Sequence, residues 1–362
     1  MENGITALQK FIKENPGVEP YKDADLLTPN KTLAEWVKFG NSLRLRLAMR
    51  VANVDKTLAT EQARKSFTLG EFLEEPGEVI AVSTAGGYTN PLGEINKSWG
   101  EVFMGATMES VLTGYDDPRT AKYYDKASGQ VITWKDDSGE HTLPQLFDYA
   151  NTYKGVPQGT GLLSADQRYR ECSKSTISQS TNAILMTAAE VWFLRAEAAL
   201  RGISTESPKE CYETGVRTSF NQWGAGGVDA YLQSSAIPAN YKDPFDSKFD
   251  MTALITTTPN WADANGTEEQ FEKIMTQKWL AMYPEGNEAW TEQRRTGYPK
   301  LFKVKVNNSG GAIDTDIMIR RLPYPSTLAT SNPTQYSSLT RALGGADNGG
   351  TRLWWDAGKN NF

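Results

Sequence analysis

The segment ILMTAAEVWFLRAEAAL, residues 184–200, is apolar on more than one side of a helix. Residues at helical spacing form two apolar stripes, one made of Leu185, Ala188, Ala189, Trp192, Ala196 and Ala199 and the other of Val191, Leu194 and Ala198. A helix with two apolar sides has to be buried between neighbouring helices. Its alanines allow those neighbours to approach closely. The segment therefore predicts a core helix, with Trp192 and Leu194 among the buried side chains.

A second helix is predicted directly after this segment. Gly202 ends the first helix, and Ser207, Pro208 and Glu210 stand where an N-cap, a first helical residue and a capping partner are expected. The second helix then runs to about Trp223. Residues 182–223 thus predict a helical hairpin about the size of one tetratricopeptide unit. No second copy of this unit is evident as a sequence repeat.

Further helix starts are predicted where a Ser or Thr precedes a Glu or Gln by three positions. Such pairs are Thr32 with Glu35, Ser98 with Glu101, and Thr267 with Gln270. Strand-like alternation is scarce, and residues 131–134 and 317–322 are the best candidates. Two long polar stretches, about 80–98 and 115–182, are rich in Gly, Asn, Asp, Ser, Thr and Tyr. We expect one mostly α domain over residues 1–362, with helical pairs and long irregular loop insertions.

Composition narrows the function. The net charge of −6 argues against a nucleic-acid partner, which needs clustered Lys and Arg. Cys172 and Cys211 lack metal-ligand spacing, and two free thiols are favoured over one disulfide. The single histidine, His141, lies in a polar, turn-rich stretch and is expected to be a solvated loop residue. No cofactor, metal site or catalytic residue is predicted. The first residues do not form a signal peptide, and no apolar run is long enough to span a membrane.

One pair of acidic residues requires a choice. Asp116 and Asp117 precede Pro118 and Arg119, and paired carboxyl groups can hydrolyse glycosidic bonds when they flank the bond. Adjacent acids before a proline more commonly form a turn in which an Asp caps the backbone and pairs with the arginine. We favour the turn.

Seven strings, taken together, resemble the SusD/RagB family of outer-membrane nutrient-binding lipoproteins of Bacteroidetes. They occur in family order as WVKFGNSLRLRLAMRV (36–51), DDPRTAKYY (116–124), YKGVPQGT (153–160), MTAAEVWFLRAEAALRG (186–202), TQKWLAMYPEGNEAWTEQRRTGYPKL (276–301), RRLPYPSTLATSN (320–332) and TRLWWDAG (351–358). The resemblance implies a SusD-like scaffold of four tetratricopeptide-like helical pairs whose loops build a glycan or peptide site. It also implies a SusC-like TonB-dependent transporter as partner and a lipid anchor at the cell surface, on the outer membrane.

The sequence departs from that family at its beginning. Residue 36 matches a position well inside family members, so the signal peptide, the anchor cysteine and the first tetratricopeptide-like helices are expected to be missing. Membrane attachment is accordingly expected only through an anchor that this sequence does not contain.

Aromatic rings in polar loops are the candidate binding residues. A sugar presents an apolar C–H face that stacks on Trp or Tyr, while neighbouring amides bind its hydroxyls. We predict a ligand site containing Tyr88, Asn90, Trp99 and Trp134, with Tyr153 in reserve. If these rings only hold their loops on the scaffold, the site is expected near Trp223, Tyr231 and Trp261 or in the missing N-terminal part.

The sequence as a whole predicts a non-catalytic protein that binds glycans or peptides for uptake. Two alternatives stay open. One is an α-helical glycoside hydrolase that uses a carboxylate pair, and the other is a helical-repeat scaffold that binds only protein.

Overall fold

The structure, a computed structural model, describes residues 1–136, 139–143, 149–162, 167–358 and 360–362. Its helices are α1 (Glu2–Glu14), α2 (Leu33–Arg50), α3 (Lys56–Leu69), α4 (Pro91–Lys97), α5 (Ala106–Gly114), α6 (Thr120–Tyr123), α7 (Ala188–Leu200), α8 (Pro208–Gln222), α9 (Val228–Leu232), α10 (Thr267–Ala281), α11 (Gly286–Thr296), α12 (Leu328–Ser331) and α13 (Pro333–Leu343). The strands β1 (Val79–Val82) and β4 (Ala183–Thr187) form one antiparallel pair, and β2 (Ile132–Asp136) and β3 (Gly139–Leu143) form another. The predicted mostly α fold is confirmed.

The central helix α7 begins later than predicted. Its N-cap is Thr187, whose hydroxyl accepts a hydrogen bond from the Glu190 backbone N–H. The preceding residues form β4, in which Met186 pairs with Ile80 of β1 and is buried while Leu185 is 38% exposed. The prediction of a buried Leu185 was therefore wrong. Periodicity does not distinguish a helix from a strand over a short apolar run, and here backbone pairing with β1 decides in favour of a strand.

Two hydrophobic clusters lie on different sides of α7, which confirms its two-sided burial. One cluster contains Phe193 of α7 together with residues of α8 and α10, such as Tyr212 and Phe271. The other contains Leu194 together with Leu45 and other residues of α2. Leu194 is fully buried, as predicted.

Trp192 is only half-buried, so its predicted place in the core was partly wrong. The indole N–H donates a hydrogen bond to the Glu74 carbonyl oxygen at 3.0 Å. The Arg195 guanidinium covers the ring, with its central carbon 3.8 Å from the ring centroid. A half-buried Trp whose N–H is hydrogen-bonded is typical of the boundary between a core and solvent.

Buried ion pairs join α2, α7, α10 and α11. Arg295 donates to both Glu197 oxygens at 2.7 Å and to both Glu292 oxygens at 3.0 and 2.6 Å. We call the ion-pair network the set Arg46, Arg50, Glu190, Glu197, Arg201, Lys278, Glu288, Glu292 and Arg295. Its cations hold the pKa values of Glu197 and Glu292 below the ordinary range despite complete burial. The network fixes how the four helices sit against one another.

Three of the predicted helix starts are found in the structure, and the one at Ser98 is not. The Thr32–Glu35 capping box is present, and Ser207 caps α8 as expected. Ser98 instead ends α4, because residues 103 and 105 pair with Lys174 and Val156 before α5 begins. A helix does start at Thr267, but Gly266 is its N-cap and supplies no side-chain hydrogen bond.

The remaining local predictions have clear outcomes. The strand predicted at residues 131–134 is found at residues 132–136, whereas residues 317–322 do not form a strand. His141 was expected in a loop but lies on β3, because β3 pairs with β2 and brings its ring against Trp134. Cys172 and Cys211 are buried free thiols, as favoured.

The acidic pair forms the predicted turn. Asp116 has a positive φ of 50°, and Asp117 is buried with both carboxylate oxygens bonded to the Arg119 guanidinium, at 3.0 and 2.6 Å. Asp117 also accepts the Arg119 backbone N–H at 2.9 Å. This carboxylate is therefore fully committed to the scaffold.

Candidate functional site

The short helix α4 is attached firmly to the segment before β4. Asn90 caps it, accepting the Leu92 N–H at 3.0 Å and donating to the Thr181 carbonyl at 3.0 Å. A Cβ at Gly93 would lie 2.1 Å from the Ser178 carbonyl carbon, so only glycine permits this approach. Asn96 donates to the carbonyls of Ser175 and Ile177. The helix thus holds two exposed loops, one at each end.

Two of the predicted binding rings flank α4. Tyr88 precedes the helix and is 57% exposed, and Trp99 follows it and is 63% exposed. Asn90 lies between them but is buried, with its side-chain oxygen and nitrogen already bonded. Its position suits a residue that sets the helix in place better than one that touches a ligand.

Tyr153 lies on the Trp99 side of α4. Its half-buried ring has the Lys126 ammonium 5.9 Å from its centroid. Burial, and then the negative charge of nearby Asp125, raise its pKa. Asp125 in turn pairs with Lys97 of α4 at 3.6 Å. Through residues 125 and 126, Tyr153 is thus linked to Lys97 at the C-terminal end of α4.

Trp134 lies apart on the β2–β3 hairpin. Its ring stacks on His141 with centroids 4.8 Å apart and planes 16° apart. Its indole N–H is buried and has no hydrogen-bond partner among the described residues. The sequence prediction places Trp134 in one ligand site with Tyr88; in the structure Trp134 lies on β2 and Tyr88 in the loop before α4.

A cleft of about 540 Å³, which we call the polar cleft, lies on the Tyr88 side of α4. It is lined by residues that include Leu26, Ser83, Thr181, Asn182, Gln222 and Trp223. A Cβ atom on Gly86 would lie 3.4 Å from the Tyr88 ring and 3.8 Å from Leu26, so the ring lies near one residue of the cleft lining. Gln222 Oε1 and Trp223 Nε1 are buried without partners in the described part of the chain. Both atoms have almost no accessible surface, so Gln222 and Trp223 line the cleft with other parts of their side chains.

A smaller cavity of about 210 Å³, which we call the aromatic pocket, lies on the Trp99 side. Leu92 and Val102, which bracket Trp99 in sequence, help to line it. The rest of the lining includes Met108, Tyr124, Trp279, Met282, Tyr283, Glu285 and Ala289. This pocket was not predicted from the sequence. The aromatic and acidic residues of KWLAMYPEG at the end of α10 could have indicated it, since several of them line the pocket.

Hydrogen bonds fix the Tyr283 ring at the aromatic pocket. Its hydroxyl lies 2.6 Å from Ser175 Oγ and donates to the Tyr123 carbonyl at 2.8 Å. The ring stacks on Tyr123 with centroids 4.3 Å apart. The pocket wall is thus preorganised.

Glu285 is an acidic residue in the lining of the aromatic pocket. Its Oε1 caps α11 by accepting the Glu288 N–H at 3.1 Å, while Oε2 is buried and unpartnered among the described residues. Burial, and then the negative charge of Glu190, raise the Glu285 pKa to about 8. A carboxyl group in this state is a hydrogen-bond donor at neutral pH.

The described residues give two further results. They contain no cluster of His, Cys, Asp and Glu side chains suited to a metal ion. Within the same ranges, no helix has both the length and the apolar character needed to cross a bilayer. The side chains described around α4 offer aromatic faces, amides, hydroxyls and carboxyl groups.

Comparisons with known proteins agree with this architecture. A SusD homologue from Bacteroides vulgatus is 52% identical, with a TM-score of 0.89 over 100% of this chain and 70% of that chain. A chitin-binding SusD homologue from Flavobacterium johnsoniae is 35% identical, with a TM-score of 0.90 over 100% of this chain and 71% of that one. A SusD homologue from Bacteroides thetaiotaomicron is 32% identical, with a TM-score of 0.83 and coverage of 98% and 72%. Comparison with curated proteins gave no match.

The family model described as "Susd and RagB outer membrane lipoprotein" matches residues 1–356. That match covers the strings quoted from residue 36 to residue 332 in full. The SusD homologues have a helical, tetratricopeptide-like architecture, and this chain has the same architecture. The chain belongs to the SusD-like family of outer-membrane, nutrient-binding lipoproteins.

Proposed function

We propose that this protein binds a glycan without cleaving it and delivers it to a SusC-like TonB-dependent transporter at the outer-membrane surface. The observation that carries the proposal is membership of the SusD-like family together with 35% identity to a chitin-binding member. Attachment by a lipid anchor, the transporter partner and the action of residues 1–362 as a single unit are parts of the same proposal.

The surface around α4 supports binding of this kind. Tyr88 and Trp99 expose aromatic faces on which a sugar ring can stack. The polar cleft is lined by hydroxyl and amide side chains, among them Ser83, Thr181 and Asn182, which suit sugar hydroxyls. We propose that Tyr88 and Trp99 contact the ligand and that Asn90 positions them by capping α4. Trp134 and Tyr153 remain candidates for the edge of the site.

Isothermal titration against a panel of plant, host and microbial glycans, with a peptide panel in parallel, tests the proposal. We expect a glycan ligand at micromolar to millimolar affinity, weakened by Tyr88→Ala and Trp99→Ala. Trp134→Ala reports whether the hairpin takes part. Tight binding of peptides with no glycan ligand would mean that the protein serves peptide uptake. Failure to bind any member of either panel would contradict the proposal.

Catalysis is tested on the same glycans. Incubation followed by measurement of reducing ends is expected to show no turnover, since Asp117 is committed to Arg119. Sustained turnover abolished by replacing one Asp or Glu would establish the hydrolase alternative instead. Transporter association is tested by co-purification from detergent-solubilised outer membranes, and recovery with proteins other than a transporter would favour the protein-binding scaffold.

A further inference from the structure

Four short segments of the chain lie side by side next to α4. Backbone hydrogen bonds join residues 102–104 to residues 173–175, residue 125 to residue 174, and residue 154 to residue 173. In extended segments, successive side chains point to opposite faces. The buried side chains are those of Met104, Tyr124, Lys154, Ser173 and Ser175, and the half-buried or exposed ones are those of Phe103, Asp125, Tyr153 and Lys174. One solvent-facing surface is thus assembled from four separate stretches of sequence.

Two rings on this surface have a lysine ammonium group above them. The Lys174 Nζ lies 5.5 Å from the centroid of the Phe103 ring, and the Lys126 Nζ lies 5.9 Å from the centroid of the Tyr153 ring. Lys174 also borders the loop that carries Trp99, because a Cβ atom on Gly100 would lie 3.4 Å from its Nζ. We call the lysine–aromatic face the set Trp99, Phe103, Lys126, Tyr153 and Lys174. Aromatic rings and cationic groups therefore share one surface.

The two ammonium groups of this face have no acidic partner within the described ranges of the chain. Neither Lys126 nor Lys174 forms an ion pair or a side-chain hydrogen bond with another described residue. A cation above an aromatic ring is attracted by the negative face of the ring. That contact leaves the three N–H donors of each ammonium group to solvent or to a ligand. Both lysines are therefore available to an anion that approaches the face.

The acids beside the face have other partners or lie at its edge. Asp125 pairs with Lys97 at 3.6 Å, and Glu171 accepts a hydrogen bond from Arg170 at 3.0 Å. Glu101 lies in the Trp99 loop and is exposed. The face itself has lysines and no acid, in a chain whose net charge is −6. This local excess of positive charge favours a ligand that carries negative charge.

We propose that the lysine–aromatic face binds an anionic glycan, whose carboxylate or sulfate groups pair with Lys126 and Lys174. The rings of Trp99, Phe103 and Tyr153 supply apolar surface for the C–H faces of the sugars. This inference rests on the proposed glycan-binding function and assigns it a substrate class, acidic sugars, that a neutral polymer such as chitin does not contain.

Ligands with only one of these two properties fit less well. A neutral glycan can stack on the rings, but it would cover the ammonium groups without supplying an anion, and withdrawing a charge from water without a partner is costly. An acidic peptide supplies carboxylates but lacks the flat C–H faces that stack on the rings. The combination of rings and lysines therefore favours a sugar chain with anionic groups.

Matched polysaccharides that differ in charge test the proposal by isothermal titration at low ionic strength. Polygalacturonate and alginate are each compared with the form whose carboxylates have been reduced to alcohols, and chondroitin sulfate is compared with its desulfated form. We expect at least one acidic form to bind roughly tenfold more tightly than its matched form, the factor that two exposed ion pairs together support. Added salt should reduce this preference, because exposed charges are screened. The carboxylate and sulfate pairs show which anion is recognised.

Variants assign the preference to the two lysines. Lys126→Gln combined with Lys174→Gln should abolish both the preference and its salt dependence. Each single substitution should lower the preference roughly threefold, which gives a second readout if the double variant is unstable. Lys209→Gln is the matched control, since Lys209 lies on the first turn of α8 and pairs with Glu213 at 3.8 Å. This control removes the same charge and should keep the preference.

The outcomes separate this inference from the proposed function. Equal binding of acidic and neutral forms, or tighter binding of the neutral forms, overturns the anionic-glycan inference while leaving glycan binding intact. A preference that survives in the double variant also overturns it, because the anion would then bind elsewhere. Poly-glutamate is titrated as well, and binding as tight as that of the best acidic polysaccharide would show that charge alone is recognised, which contradicts the role of the rings. Failure of every glycan, neutral or acidic, overturns the proposed function too.

Discussion

Two ionisable groups at α11, Arg295 near its C-terminal end and Glu285 at its N-cap, differ in how completely they are hydrogen-bonded. Near its C-terminal end, Arg295 makes hydrogen bonds from all three guanidinium nitrogens to Glu197 and Glu292. At its N-terminal end, Glu285 has one oxygen bonded and the other buried without a partner in the described chain. A buried group whose hydrogen bonds are complete holds the scaffold together, whereas a buried oxygen without a partner costs stability.

Removing Arg295 from the ion-pair network should have the largest effect on the free energy of unfolding. Arg295→Ala leaves Glu197 and Glu292 buried without their shared partner, and loss of one member of such a buried pair costs roughly 3 to 5 kcal/mol. Chemical denaturation measures the free energy of unfolding. Arg217→Ala is the matched control, since its pair with Asp229 is exposed and should cost about 1 kcal/mol or less. Equal costs for the two variants would mean that the network does not organise the scaffold.

The core beside the network should be nearly as sensitive. Leu194→Ala removes a fully buried side chain between α7 and α2 and should cost roughly 2 to 5 kcal/mol through the cavity that it leaves. Leu185→Ala is the control from the same apolar segment of the sequence, and its exposed position on β4 predicts a change within about 0.5 kcal/mol. A variant Leu194→Ala that melts like the wild type would show that the two-sided burial of α7 is wrong.

The ionisation of Glu285 should make the stability of the protein fall as the pH rises. The folded-state pKa of Glu285, about 8, is above the ordinary 4.5, so the protonated carboxyl group stabilises the fold. That contribution is complete below about pH 4.5 and is lost as the pH rises through 8. The stability of Glu285→Gln relative to the wild type should therefore increase across this interval and level off above it. Thermal melts at several pH values measure the difference, and a flat difference would mean that Glu285 is ionised throughout.

The smallest stability effect is expected at the exposed rings. Trp99→Ala and Tyr88→Ala should change the free energy of unfolding by no more than about 0.5 kcal/mol, because both side chains are mostly in solvent. Tyr123→Ala is a suitable contrast, since its ring is fully buried among other aromatic residues. A large loss of stability from Trp99→Ala would place its ring in the structure and not in the binding surface.

The scaffold could be predicted from sequence because its signals are local. Thr32 with Glu35 and Ser207 with Pro208 mark helix starts through contacts within one turn. Apolar spacing in residues 188–200 reports the burial of α7 on two sides. What the same segment could not show was β4, since Met186 becomes a strand residue only through its pairing with Ile80, far away in the chain.

The candidate site was predicted less completely because its cavities are assembled from distant segments. Tyr88 and Trp99 could be found as rings in polar loops, and the structure exposes both. The capping role of Asn90 depends on Thr181, and the aromatic pocket joins Leu92 to Glu285. No spacing rule connects residues so far apart, so only the fold shows these partnerships.

The most direct test of the account measures affinity and melting temperature together for Trp99→Ala and Leu194→Ala, with whichever glycan the wild type binds. If the Trp99 ring stacks on the ligand, Trp99→Ala should weaken binding roughly tenfold, as expected for the loss of one aromatic contact. The variant should melt like the wild type. The account predicts that Leu194→Ala melts at a clearly lower temperature and, below that temperature, binds with wild-type affinity. Intact affinity with lost stability in Trp99→Ala would contradict the account, because the ring would then only hold its loop on the scaffold.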